Sequence, residues 1–245
     1  MTITCSNWDR ESWISSVEYI AHSVKVLSEC LEITPNSKIL DIGCGRAGIT
    51  TALAEANNVE TPVEGIDISD TISEAPNCNK VNLFQIDALS YLKGQPDNLY
   101  HGIILKQMLH CVSTDIRKQL LQEIHRCLKK SARALVFLMP PKITIPMFTQ
   151  GKDTFLQEQL HFQDIINLGQ DCLFETDISE FCFNVEISKQ QYFDLLRQRF
   201  MSNLRNLSDS EIENGILELD LNYPTEVLKF TDLLHIIHLI KVAPA

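Results

Sequence analysis

A glycine-rich segment from Asp41 to Gly48 has the residue types of a bend that brings the backbone close to a bound ligand. Gly43, Gly45 and Gly48 satisfy the spacing G-x-G-x-x-G after an apolar run, and glycines allow a tight turn and a close approach of the chain to a ligand. Asp67 ends the next apolar run, where a carboxylate can accept hydrogen bonds from ribose hydroxyls. The spacing predicts a site for a nucleoside-containing cofactor, and it fits a dinucleotide as well as other adenosine compounds.

Two further acids narrow the type of cofactor. Asp41 stands two residues before Gly43, where a pyrophosphate would meet like charge and an ammonium group would be attracted. Asp87 ends a third apolar run, where its carboxylate can accept a hydrogen bond from the exocyclic amine of adenine. Three acids at the ends of three successive strands favour a cofactor that is cationic and carries adenosine.

Several of these segments resemble motifs of the class I S-adenosylmethionine-dependent methyltransferases. Residues 39–45 are similar to that family's first motif, residues 103–110 to its fourth-strand motif, and residues 127–134 to its turn into strand five. This last turn contains a serine–alanine pair where the family commonly has two glycines. The resemblance covers residues 36–140 closely and the rest of the chain loosely.

The resemblance implies S-adenosyl-L-methionine as the cofactor and assigns residues to it. Asp67 with Ile68 matches the ribose position, Asp87 with Ala88 matches the adenine position, and the turn after the fourth strand is expected to touch the methionine part. The residues expected to bind the cofactor are Asp41, Gly43, Cys44, Gly45, Asp67, Ile68, Asp87, Ala88, Lys106 and Gln107.

A histidine is the candidate catalytic residue. His110 follows Lys106 by one helical turn, and a histidine can take a proton from a hydroxyl or amine near neutral pH. The structural alternative is a packed or capping histidine. Methyl transfer from a sulfonium is a one-step displacement in which positioning dominates, so a base is needed only if the acceptor must lose a proton.

Aromatic residues near the start of the chain are candidates for the other side of the site. Trp13, together with Trp8 and Tyr19, lies in or beside a first helix that the resemblance places over the cofactor. An aromatic face could attract the sulfonium by a cation–π contact, and plain packing of the helix on the sheet is the alternative. Trp13 is therefore a candidate substrate-binding residue.

A positively charged segment late in the chain predicts a lid over the site. At 100° per residue, Tyr192 and Arg199 fall within about 20° of each other beside an apolar stripe over residues 190–207. Residues 189–205 also carry a local excess of positive charge. This pattern predicts that Tyr192 and Arg199 bind a carboxylate-bearing acceptor, with the arginine bidentate, and a solvated helix face is the alternative.

An alternation of apolar runs and amphipathic stretches positions these residues. A first helix over residues 9–32 is followed by strands that end at the candidate acids, with helices between them. The predicted strands cover residues 38–42, 63–68, 80–86, 102–105, 134–139, 181–187 and 233–242. The further predicted helices cover residues 49–56, 113–130, 162–172, 189–204 and 208–219. Strands that alternate with helices require right-handed crossovers and a parallel sheet that is covered on both faces.

We expect a Rossmann-like, doubly wound α/β fold. Its sheet would be seven-stranded and mostly parallel, with an antiparallel edge strand and a helical lid insertion. A single domain would span residues 1–245. Its parts would be an N-terminal helical cap at 1–35, a cofactor-binding core at 36–188, the lid at 189–222 and a final strand at 223–245.

The composition restricts the partners. The 245 residues are 44% hydrophobic and carry a net charge of −11, which repels phosphate backbones, so no nucleic acid is expected. The apolar runs are too short for a membrane span, and the first residues lack the order of a signal peptide, so we expect a cytoplasmic protein with no membrane partner. The eight cysteines contain no C-x-x-C pair, and no cluster of ligands predicts a metal site.

The favoured function is methyl transfer from S-adenosyl-L-methionine to a small-molecule acceptor. Two alternatives remain open at this point: an NAD(P)-dependent oxidoreductase on the same core, and a non-catalytic partner subunit that binds the cofactor. The sequence does not decide whether the acceptor atom is oxygen, nitrogen or carbon, and it leaves the oligomeric state unknown.

Overall fold

The computed structural model describes residues 12–242, which form a seven-stranded sheet in the order β3-β2-β1-β4-β5-β7-β6. The strands are β1 (Ile39–Ile42), β2 (Val63–Asp67), β3 (Val81–Gln85), β4 (Tyr100–Lys106), β5 (Leu128–Leu138), β6 (Phe174–Ser188) and β7 (Val227–Lys241). Strands β1 to β5 pair in parallel, whereas β7 runs antiparallel to both of its neighbours. The predicted fold class is confirmed, but the antiparallel strand is not at the edge as predicted: it is β7, which lies between β5 and the edge strand β6.

Helices cover both faces of the sheet. They are α1 (Val17–Leu31), α2 (Gly48–Ala56), α3 (Ala88–Lys93), α4 (Thr114–Cys127), α5 (Thr149–Glu158), α6 (Phe162–Asp171), α7 (Lys189–Arg197) and α8 (Asp209–Asn222). Short 3-10 turns lie at Trp13–Ser15, Asp70–Glu74, Leu109–Cys111 and Ser202–Leu204. No helix within residues 12–242 has both the length and the apolar composition to span a bilayer.

Two apolar layers hold the helices on the sheet. Neighbouring residues of β4 point to opposite faces, since side chains alternate along a strand. Ile104 joins a buried cluster with Leu27 of α1 and Leu53 of α2, whereas Ile103 joins a second cluster with Leu121 of α4. The continuous apolar run of β4 in the sequence therefore reflects burial on both faces, as in other parallel sheets.

The first helix begins later than its periodicity predicts. Residues 9–11 lie outside the described residues, Trp13–Ser15 form a 3-10 turn, and α1 starts only at Val17. Ser16 separates the two elements because it is extended and its side chain accepts a hydrogen bond from the Tyr19 N–H at 3.1 Å. A serine that caps a helix in this way ends the preceding turn.

The prediction of one helix over residues 189–204 is wrong. Helix α7 ends at Arg197, and Arg199 adopts a left-handed conformation with φ of 52°. The chain then turns so that Phe200 and Leu204 are buried without continuing the helix. Helical periodicity over residues 190–207 therefore arises from two separate elements that each bury apolar side chains.

Other boundaries differ because tertiary contacts extend or create elements. Strand β6 begins at Phe174 rather than at residue 181, since alternate exposed residues such as Glu175 mask its first half in the sequence. The short helices α3 and α5 were not predicted. Helix α5 packs against the Ser202–Leu204 turn and α8, and these contacts, more than its own weak amphipathicity, hold it in place.

Candidate active site

A cavity of about 710 Å³ opens at the carboxyl ends of the parallel strands. Its walls come from the glycine loop after β1, the ends of β2 and β4, the start of α3, the last turn of α5 and the Ser202–Leu204 turn. This volume lies in the usual range for small-molecule sites, and open α/β sheets bind ligands at this edge.

The glycine loop lines the cavity in a conformation that requires glycine. Gly43 and Gly45 have φ of 77° and 54°, in the left-handed region. A Cβ atom at Gly43 would lie 2.6 Å from the Cβ of Met108, so the loop approaches the turn after β4 too closely for any side chain. The N–H groups of Gly43 and Cys44 both donate to the carbonyl of Ile66, at 2.8 and 3.1 Å, which ties the loop to β2. Burial raises the pKa of the Cys44 thiol, so this cavity residue is a neutral thiol.

Asp41 places a buried acid at the floor of the cavity. Its Oδ2 accepts a hydrogen bond of 2.6 Å from the hydroxyl of Thr50. Burial raises the pKa of Asp41 to about 6, although the Thr50 bond and the charge of Lys106 partly offset this effect. A cation bound nearby would favour the ionised form of Asp41, whereas an anion would disfavour it.

Asp67 is held by two backbone N–H groups. Gly45 donates to its Oδ2 and Ser69 donates to its Oδ1, both at 2.8 Å. Because an ionised carboxylate has about four acceptor sites, Asp67 can order the glycine loop and still accept hydrogen bonds from a ligand. Its neighbour Ile68 is 56% exposed and also lines the cavity.

Asp87 caps a helix and also lines the cavity. It is the N-cap of α3, and its Oδ1 accepts a 2.9 Å hydrogen bond from the N–H of Ser90. The backbone hydrogen bond from Ser90 lowers the pKa of Asp87, so the carboxyl is ionised at neutral pH. Asp87 and Ala88, the first residue of α3, both line the cavity.

The end of β4 contributes the predicted lysine and glutamine. The Lys106 ammonium lies 4.9 Å from the centre of the Tyr19 ring, and its charge lowers the pKa values of both Asp41 and Asp232. Gln107 has φ of 55°, and its N–H donates to the carbonyl of Phe137 at 3.2 Å. Both residues line the cavity.

His110 also lies on the cavity wall. It belongs to the Leu109–Cys111 turn, which Arg117 of α4 holds by donating from Nε to the Leu109 carbonyl at 3.1 Å. The structure thus brings His110 to the same cavity as the ten predicted cofactor residues.

Trp13 and Tyr192 do not line the cavity. The Trp13 Nε1–H donates to Oδ2 of Asp232 at 2.8 Å, and the Trp13 ring stacks on the Tyr192 ring with centroids 6.2 Å apart. The Tyr192 hydroxyl donates to the carbonyl of Pro146, and its side chain is completely buried. Their prediction as substrate-binding residues is therefore corrected to a packing role. Trp8 lies outside the described residues.

Arg199 also lies away from the cavity. Its Nη2 pairs with Asp209 at 2.6 Å, and its Nε donates to the carbonyl of Leu207 at 3.1 Å. The helix on which Tyr192 and Arg199 would share a face ends at Arg197, so the predicted pairing does not form. The guanidinium instead holds together the segment that connects α7 to α8.

Several cavity residues were missed by sequence reasoning. They are contributed mainly by α5 with its flanks and by the turn that follows α7: Met139, Phe155, Glu158, Gln159, Leu160, Met201, Ser202, Asn203 and Arg205. Arg46 and Glu74 form an ion pair that joins the glycine loop to the turn after β2. The positive excess over residues 189–205 was the one sequence signal that included a residue of this wall, Arg205.

Within residues 12–242, no group of three or more His, Cys, Asp or Glu side chains is arranged to hold a metal ion.

Comparisons with known proteins match this chain to methyltransferases. Residues 39–131 match a family model described as a methyltransferase domain. A curated relative, the demethylmenaquinone methyltransferase of Staphylococcus carnosus (strain TM300), is 28% identical over 159 residues. The match covers 62% of this chain and 63% of the relative, so this chain spans less than two thirds of the relative's length.

Two solved structures share the fold. A presumed methyltransferase from an antibiotic biosynthesis pathway of Anabaena variabilis ATCC 29413 has a TM-score of 0.70 at 17% identity, covering 88% of this chain and 95% of the other. Phosphoethanolamine N-methyltransferase 2 of Haemonchus contortus, in complex with S-adenosyl-L-methionine, has a TM-score of 0.58 at 14% identity, covering 99% and 61%. The domain match and the fold confirm the resemblance that the motifs indicated.

Proposed function

We propose that this chain, whose core is a class I S-adenosylmethionine-dependent methyltransferase domain, binds S-adenosyl-L-methionine in the cavity and transfers its methyl group to a small-molecule acceptor. The observation that supports this most strongly is the convergence of the glycine loop with three acids. Asp41, Asp67 and Asp87 lie at or just beyond the carboxyl ends of three different strands and line one cavity with Gly43 and Gly45.

The residues of the cavity fit a cationic, adenosine-bearing cofactor. Asp41 is a buried acid whose ionised form a bound cation would favour, and Asp67 has acceptor sites left after its two backbone bonds. In the proposal, Asp67 and Ile68 bind the ribose, Asp87 and Ala88 the adenine, and the remaining predicted residues the methionine part. That remaining set is Asp41, Gly43, Cys44, Gly45, Lys106 and Gln107.

S-adenosyl-L-methionine supplies an electrophilic methyl group on a sulfonium. The task of the chain is then to hold the acceptor in line and to exclude water. Phe155, Leu160 and Met201 are buried apolar residues of the wall, so they suit both tasks. His110 can accept the proton of a hydroxyl or amine acceptor, because it lies on the same wall.

Two other functions are less well supported. A dinucleotide-dependent oxidoreductase would place a pyrophosphate at the glycine loop, beside the buried Asp41. A non-catalytic subunit would bind the cofactor without turning over any acceptor. The relative from Staphylococcus carnosus offers demethylmenaquinone as one acceptor to test here by analogy.

Calorimetry with three ligands tests the proposed function. The full chain is titrated with S-adenosylmethionine, S-adenosylhomocysteine and NAD⁺. We expect micromolar binding of the first two and no binding of NAD⁺ at the same concentrations. Binding of NAD⁺ alone would contradict the proposal. Transfer of a radiolabelled methyl group to a panel of small acceptors then separates a methyltransferase from a non-catalytic subunit.

A further inference from the structure

We propose that Arg205 forms an anion-binding subsite for the acceptor, and that the acceptor combines a carboxylate with an apolar body. The inference rests on the proposed function, because it assigns to the acceptor the half of the cavity that the predicted cofactor residues do not line. Arg205 follows the Ser202–Leu204 turn and lines the cavity.

The first support is the state of the Arg205 side chain. Residues 12–242 contain seven arginines, and the other six guanidinium groups have a hydrogen-bond or ion-pair partner. These pairs are Arg46 with Glu74, Arg117 with the Leu109 carbonyl, Arg126 with Asp97 and Glu123, Arg133 with Glu32, Arg197 with Glu213, and Arg199 with Asp209. Within the described part of the chain, Arg205 bonds only through its backbone N–H, to the Ser202 carbonyl at 3.2 Å.

The second support is the charge balance of the cavity. Arg46 is neutralised by Glu74, and Lys106 lies over the Tyr19 ring with its charge directed at two buried aspartates. Among the described residues, no acid lies within ion-pair distance of the Arg205 guanidinium, which lines this cavity. Glu158 is an exposed acid that also lines this cavity. Because it would repel a second negative charge, a monoanion suits the subsite better than a dianion.

The third support is the apolar surface of the cavity that Arg205 lines. Phe155, Leu160 and Met201 line the cavity and are all less than 10% exposed. A guanidinium next to such a surface can bind a carboxylate bidentately while the apolar body covers the buried side chains. This combination fits an amphipathic acid.

The position of Arg205 assigns the subsite to the acceptor rather than to the cofactor. The predicted cofactor residues follow β1, β2, β3 and β4, which form one half of the sheet. Helix α5 follows β5, and Arg205 belongs to the segment between β6 and β7, the other half. Both sets of residues line the same cavity.

Matched acids and amides test the subsite. The full chain, saturated with S-adenosylhomocysteine, is titrated by calorimetry with octanoate, 4-tert-butylbenzoate and 2-naphthoate, and with the primary amide of each. We expect at least one carboxylate to bind about tenfold more tightly than its amide, with a preference that weakens as salt is added.

Three variants test whether the preference for a carboxylate over its amide depends on Arg205. Arg205→Gln should reduce it to about twofold or less, and Arg205→Lys should retain part of it, because a lysine keeps the charge but loses the bidentate geometry. Arg199→Gln is the matched control, since Arg199 lies on the same insertion but pairs with Asp209 away from the cavity. This control should behave as the wild type does, and all three variants should bind S-adenosylhomocysteine normally.

Two results would overturn the subsite. One is that no carboxylate binds more tightly than its amide; the other is that the preference survives in Arg205→Gln. Loss of S-adenosylhomocysteine affinity in Arg205→Gln would also contradict it, because the arginine would then serve the cofactor. If wild-type protein fails to bind S-adenosylhomocysteine, the proposed function fails, and the same acid–amide titrations of the cofactor-free protein still decide whether Arg205 binds a carboxylate.

Discussion

The indole Nε1–H of Trp13 donates a 2.8 Å hydrogen bond to Oδ2 of Asp232, and both side chains are buried although 219 positions separate them in the chain. This bond joins the 3-10 turn before α1 to strand β7. Ile14 and Ser15, the next residues, line the cavity. The bond therefore anchors the turn that brings Ile14 and Ser15 to the cavity. Burial raises the pKa of Asp232, and the Trp13 bond and the Lys106 charge oppose this shift.

Trp13→Phe should destabilise the protein. The substitution leaves a buried carboxylate without its indole donor, which costs about 1–3 kcal/mol of unfolding free energy. Urea unfolding of Trp13→Phe, Asp232→Leu and the double variant measures this cost. We expect the double variant to lose less than the sum of the single losses, whereas additivity within about 0.5 kcal/mol would mean that the two side chains do not interact.

The glycine loop offers a comparison between two glycines of the same motif. Gly43→Ala should destabilise the protein by about 1–3 kcal/mol, because Gly43 has a positive φ and its new Cβ would meet Met108 at 2.6 Å. Gly48→Ala is the control. Gly48 opens α2, and the nearest atom to its new Cβ is 3.8 Å away, so this change should be neutral or stabilising by about 0.5–1 kcal/mol.

Thermal unfolding compares the two variants, and binding of S-adenosylhomocysteine should fall only in Gly43→Ala. Equal destabilisation by both substitutions would show that the left-handed conformation is not the reason why position 43 requires glycine.

Asp41 predicts a pH dependence of cofactor binding. Burial raises the pKa of Asp41 to about 6, so the carboxyl is mostly protonated at pH 5 and mostly ionised at pH 7. A cationic ligand favours the ionised form, and binding below pH 6 must therefore release a proton. We expect the affinity for S-adenosylmethionine to fall about tenfold between pH 7 and pH 5.

Calorimetry in buffers of different ionisation enthalpy measures both the affinity and the released proton. Asp41→Asn should bind more weakly at pH 7 and lose most of the dependence on pH. A wild-type affinity that is constant from pH 5 to pH 7 would show that Asp41 does not face the bound cation.

Local sequence signals were enough to bring the residues predicted to bind the cofactor to one cavity. The strand–glycine–helix pattern at residues 39–56 can be recognised from neighbouring residues alone. The positive φ values of Gly43 and Gly45 and the acid at the strand end all belong to this one short segment. The ends of parallel strands meet at one edge, so Asp41, Asp67 and Asp87 could be placed together from the sequence alone.

The part of the cavity that we propose for the acceptor could not be predicted in the same way. Apolar spacing predicts one continuous helix with Arg199 beside Tyr192, whereas the structure buries Phe200 and Leu204 through a left-handed turn at Arg199. Trp13 was expected over the cofactor, but its donor partner Asp232 lies at the far end of the chain. Contacts of such sequence separation leave no periodic signal, and tertiary packing decided both positions.

The affinity of Asp67→Ala for S-adenosylhomocysteine tests the central claim most directly. Asp67 both orders the glycine loop through Gly45 and presents the acceptors proposed for the ribose. We expect its removal to cost about 1.5–3 kcal/mol of binding, roughly 10- to 150-fold in Kd, in a protein that remains folded. Asp70→Ala, an exposed acid that does not line the cavity, should bind as the wild type does. An Asp67→Ala variant with wild-type affinity would contradict the assignment of this cavity to S-adenosylmethionine.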